Sequence, residues 1–210
     1  MAALKLYLER SAQAPLFLDI FIDLPEDGYY FYHPPALVLL LQHTRRWKTV
    51  RYITDLRISV NPLSLPILED LTVGSAYGTY ADDTYHCFQA APNLHALTIF
   101  EGNDSLKGLL SKLPSDQLTF LNTALPYWAM DDLRDLCSLT TLELYAAGHE
   151  GDRPQPSPIS LAALKSLILT LHPHDVLTRI EHTEDFLHHL LPIFTFPSLN
   201  QLVIRRANDS

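Results

Sequence analysis

Apolar residues recur at alternate positions in short bursts along the chain, and the bursts share one phrase: leucine, two residues, leucine, one residue, an aliphatic. The phrase is clearest in PILEDLTV from Pro66, PNLHALTI from Pro92, CSLTTLEL from Cys137 and PSLNQLVI from Pro197. Weaker copies are WKTVRY from Trp47, LTFLNT from Leu118 and LKSLIL from Leu164, while PLFLDIFI from Pro15 keeps only the alternation. Their first apolar positions, 47, 68, 94, 118, 139, 164 and 199, stand 21, 26, 24, 21, 25 and 35 residues apart. Alternation over four to eight residues predicts a strand buried on one face. Such spacers are long enough for crossovers between parallel strands, whereas antiparallel neighbours need only tight turns.

Five of these six spacings fall in the ~20 to 29 residue range of leucine-rich repeats. The expected fold is therefore one α/β domain over residues 1–210, a leucine-rich-repeat solenoid of the ribonuclease-inhibitor-like kind with about eight irregular repeats. Its parallel sheet would line the concave face, with short helices and loops outside. Helices are expected over Pro35 to His43, Met130 to Leu136 and Val176 to Leu191, the last opening on Thr183 with Glu184 and Asp185 at the positive end of the helix dipole. Gly74 to Asp83 and Gly148 to Pro158 read as loops inserted between repeats.

The alternation also assigns faces. With Leu97 and Ile99 inside, Ala96, Thr98 and Phe100 point out, as do Phe120 and Asn122, then Thr141, Glu143 and Tyr145, then Ser166, Ile168 and Thr170. Phe100, Phe120 and Tyr145 fall on three consecutive strands. Aromatic side chains among polar ones are the composition of a protein-binding hot spot. The expected partner-binding residues on the concave face are Phe100, Phe120, Asn122, Glu143, Tyr145 and Ile168.

Composition narrows the function classes. Fifteen Lys and Arg against 24 Asp and Glu leave a formal charge of −9, the wrong sign for a phosphate-binding face, so no nucleic-acid partner is expected. No apolar run approaches the ~18 residues of a membrane span, and MAALKLYLER lacks the order of a secretory signal, so a cytoplasmic or nuclear location is expected. Cys87 and Cys137 are too few for a disulfide framework or a structural zinc site.

Catalytic chemistry finds little material. There is no phosphate loop or Gly-x-Gly-x-x-Gly turn among the 7 glycines. Asp82-Asp83 and Asp131-Asp132 are sequence neighbours whose carboxylates point apart, and Cys87 directly follows His86, a poor geometry for a nucleophile and its base. The 10 histidines include His172, His174, His182, His188 and His189, a segment from which a metal-dependent enzyme would have to be built. Zinc needs three or four convergent ligands, and on a helix His188 would point away from His182 and His189. No metal, cofactor or catalytic residue is expected.

Leu6 to Ile22, Leu39 to Tyr52, Phe88 to Ile99, Leu113 to Leu121, Leu136 to Leu144 and Phe194 to Ile204 together resemble the leucine-rich regions of fungal F-box proteins, in particular those of the mushroom-type expansion. The resemblance implies substrate recognition for an SCF-type ubiquitin ligase. In that family a box of some forty residues, opening with Leu-Pro, docks on the ligase adaptor. Leu65-Pro66 could open one, but Glu69 to Val73 continues as a strand, so the box is expected to be missing and the adaptor to be engaged only if it is supplied elsewhere. The alternative is a stand-alone leucine-rich scaffold or decoy without a ligase role.

Overall fold

The computed structural model describes residues 1–22, 34–54, 56, 58, 62–74, 85–100, 106–125, 127–146, 157–171 and 192–206. Its elements in chain order are α1 (Ala2–Arg10), β1 (Leu16–Ile22), α2 (Pro35–Leu41), β2 (Trp47–Thr54), β3 (Asp70–Gly74), β4 (Ala96–Phe100), α3 (Leu106–Leu110), β5 (Phe120–Leu125), β6 (Thr141–Ala146), β7 (Ile159–Ser160), β8 (Ser166–Leu171), β9 (Phe194–Thr195) and β10 (Gln201–Arg206). Short 3-10 turns cover Thr44–Arg46, His86–Phe88, Ser115–Gln117 and Tyr127–Asp135.

Each copy of the phrase forms one strand of an eight-stranded sheet in the order β1-β2-β3-β4-β5-β6-β8-β10, with every neighbouring pair parallel. The molecule is thus a mixed α/β fold built on a parallel sheet. β7 and β9 add a separate two-stranded parallel sheet that the alternation does not foretell, because two residues are too short to show a period.

A repeated turn explains the phrase. In six copies the amide of the first leucine bonds the carbonyl three residues back: Leu68 to Leu65, Leu94 to Ala91, Leu118 to Ser115, Leu139 to Leu136, Leu164 to Leu161 and Leu199 to Phe196. Pro66, Pro92 and Pro197 occupy the second position of this turn, where a preset φ near −65° is favourable. The residue after each leucine then donates to the equivalent carbonyl of the preceding copy, as His95 does to Glu69, Thr119 to His95 and Thr140 to Thr119. Sequence copies therefore stack with their hydrogen-bonding groups in step.

The inward rows make the core. Val50, Leu71, Leu97, Leu121, Leu142 and Leu167 lie in one register line and all are buried. Ile20, Tyr52, Val73, Ile99, Thr123, Leu144 and Leu169 form the next. Burying one such aliphatic side chain contributes roughly 1.5–3 kcal/mol, so the regular ladder is the main source of cohesion. Leu37, Leu110, Leu113, Met130, Leu133 and Leu136 from the connecting segments join the same core. Tyr52 packs its ring edge-on against Phe88, and its hydroxyl donates to the Leu56 carbonyl at 2.8 Å.

The helix expected from Pro35 is present as α2, with Pro35 at its first position. The stretch around Met130–Leu136 winds as a 3-10 turn instead of an α-helix. The expected helix over 176–191 lies outside the described residues, as do 75–83 and 148–156 of the two expected loops; Gly74 itself ends β3. The opening helix α1 is not predicted by the alternation of MAALKLYLER. It is tied down by buried Arg46, which donates to the carbonyls of Leu8 (3.2 Å) and Ala14 (2.9 Å) and to the Ser11 hydroxyl (2.7 Å). A guanidinium at the last turn of a helix meets carbonyls that lack intrahelical donors.

Candidate partner-binding face

One face of the sheet carries the core; on the other, the open face, the outward positions among the described residues are part-buried or exposed except Ile53, Gly74 and Ile168, which are buried. On the open face three rows of side chains run across the strands. The first begins Phe17, Thr49, Asp70, Ala96, Phe120, Thr141; the second Asp19, Arg51, Thr72, Thr98, Asn122, Glu143, Ile168, Val203. The third comprises Phe21, Ile53, Gly74 and Phe100, then Ala124, Tyr145, Thr170 and Arg205.

All six expected binding residues lie on these rows. Phe100 is 47% exposed, while Phe120, Asn122, Glu143 and Tyr145 are part-buried. Ile168 differs: its position is outward but only 8% of it is exposed, so it offers almost no surface. The three aromatics do fall on consecutive strands, β4, β5 and β6, yet they are not one cluster. Phe120 belongs to the first row and Phe100 and Tyr145 to the third, about 13 Å apart along the strand direction at ~3.3 Å per residue.

Four further residues of the face escaped the expected set. Phe17 and Phe21 on β1 are 70% and 63% exposed, and Asp19 and Arg51 stand opposite each other on β1 and β2. The alternation in LFLDIFI and in WKTVRY carries the signal for all four, since each occupies an outward parity position.

Electrostatics divide the face. Arg51 donates to Asp19 Oδ2 at 3.1 Å in an exposed pair, and its guanidinium lies 5.4 Å from the centroid of the Phe100 ring. Asp70 is half-buried; desolvation raises its carboxyl above its ordinary value, opposed by the nearby His95. Asn122 Nδ2 donates to Glu143 Oε2 at 2.9 Å, and the Asn122 Oδ1 atom is buried without a donor.

Cys87 lies in the core, where burial pushes its thiol up to about 12 and leaves it un-ionised, whereas Cys137 is exposed. His172, His174, His182, His188 and His189 lie outside the described residues. Among the described residues no group of three His, Cys, Asp or Glu side chains converges as a metal site would require, and no helix is long and apolar enough to cross a membrane.

Comparison with protein-family models finds no match, and comparison with curated proteins finds none either.

Proposed function

We propose that this chain is a non-catalytic protein-binding module of the leucine-rich-repeat type, with the open face of the eight-stranded sheet as the recognition surface. The observation that carries this reading is the exposure of large rings on a rigid sheet: Phe17, Phe21 and Phe100 are each about half exposed or more, amid Thr, Asn, Asp and Arg. Rings held by a parallel sheet lose little freedom on binding, and truncating a true anchor loses ~2 kcal/mol or more of affinity. The resemblance to fungal F-box proteins supports a more specific role, in which the bound protein is a substrate for an SCF-type ubiquitin ligase.

Affinity capture from native extract with the wild-type protein, Phe100→Ala and Tyr145→Ala tests both levels. Partners retained by the wild type and lost by the ring variants, whose folding is checked by circular dichroism, are the expected outcome; equal retention by all three overturns the open-face reading. Recovery of adaptor and cullin supports the ligase role. Their absence, with other partners retained, supports the stand-alone scaffold.

A further inference from the structure

We propose that Glu143 is the point at which the open face grips an arginine side chain of its protein partner; this rests on reading the face as a protein-binding surface. Across the four central strands, β3 to β6, the outward charged positions are Asp70 and Glu143, both acidic. The neighbouring cation, Arg51, is already engaged by Asp19 and by the Phe100 ring. Among the described residues neither Asp70 nor Glu143 has an ion-pair partner.

Glu143 differs from Asp70 in being held. The Asn122 amide donates to its Oε2 at 2.9 Å, and in doing so leaves its own Oδ1 buried with no donor. That arrangement is costly, since a buried orphan acceptor is penalised while a neutral amide bonds a carboxylate less strongly than a cation does. An incoming guanidinium takes over the carboxylate and frees the Asn122 side chain to reorient. The surroundings select arginine over lysine. Tyr145 lies two residues along the same strand, and Phe120 lies diagonally across β5, at the ~7–8 Å spacing that aromatic side chains can span. A planar guanidinium stacks on rings and meets a carboxylate in bidentate fashion, whereas an ammonium is a point charge. The formal charge of −9 favours the approach of a cationic segment.

The test uses a displayed library of random twelve-residue peptides panned on the folded protein, followed by titration of a selected synthetic peptide. The expected result is a peptide whose affinity falls at least tenfold when its arginine becomes citrulline and at least tenfold with Glu143→Gln, with no further fall when both changes are combined. The side-chain amide resonances of Asn122 move on binding. Should Glu143→Gln fail to fold, the citrulline peptide against the wild type still decides. Binding that falls with Phe100→Ala but ignores citrulline and Glu143→Gln overturns the arginine inference and leaves the open-face reading standing. Binding indifferent to Phe100→Ala, Tyr145→Ala and Glu143→Gln alike, or no selected peptide at all, overturns both.

Discussion

The guanidinium of Arg51 reaches across β3 to lie 5.4 Å from the centroid of the Phe100 ring on β4. On β3 the residue paired with Phe100 is Gly74, which has no side chain and stands between Phe100 and Ile53 of β2. A Cβ built there would meet Ile53 Cδ1 at 2.7 Å and Phe100 Cβ at 3.0 Å. Glycine is the residue that lets Ile53 and Phe100 close over β3.

Gly74→Ala should therefore destabilise by about 1–2 kcal/mol, although alanine would ordinarily improve a strand, because overpacking forces its neighbours aside. Gly74→Val should cost more. Urea midpoints check the order; an unchanged or raised midpoint for Gly74→Ala would show that Ile53 yields freely.

Leu97 and Thr98 are adjacent in β4 and face opposite ways, Leu97 fully buried in the leucine ladder and Thr98 part-buried on the open face. Leu97→Ala should cost ~2–5 kcal/mol from lost burial and the cavity left behind, and Thr98→Ala far less. Equal small shifts in the two urea curves would invalidate the assignment of faces.

Asp70 makes stability depend on pH. Burial raises its folded-state pKa above the ordinary value of 3.8, with His95 pulling the other way, so the folded chain holds the proton more tightly than the unfolded one. Its favourable contribution is complete below 3.8 and disappears as pH rises through the folded value, above which the ionised carboxylate is less well solvated than in the unfolded chain. Asp70→Asn should then be the more stable protein at neutral pH, with the advantage over wild type shrinking toward zero at pH 3. Urea unfolding at both pH values reads the sign directly.

The two thiols should differ sharply in reactivity. With its thiol pushed up to about 12 by burial, Cys87 should resist an aromatic disulfide reagent at pH 8 while exposed Cys137 reacts. One thiol per chain in the native state and two in urea is the expected titration; two fast-reacting thiols without denaturant would contradict the placement of Cys87 in the core.

Legibility followed period and reach. Alternation in the phrases beginning at Pro66, Pro92 and Cys137 was enough to place Leu97 and Leu142 inside and Thr98 and Glu143 outside, because a strand reverses its side chains at every residue and allows no third choice. The spacing of the copies determined parallel pairing for the same kind of reason: a connection of this length is a crossover. What no local pattern contains is how side chains from different strands meet. That Phe120 stands a row away from Phe100 and Tyr145 depends on inter-strand register. The burial of Ile168 and the seating of Arg46 against α1 are likewise matters of tertiary contact. So is the single hydrogen bond from Asn122 to Glu143, which joins residues 21 positions apart in the chain. Which side of the sheet a residue faces was settled by the sequence itself, whereas what it touches there was decided only when eight strands came into register, since that choice belongs to pairs of residues that the chain keeps far apart.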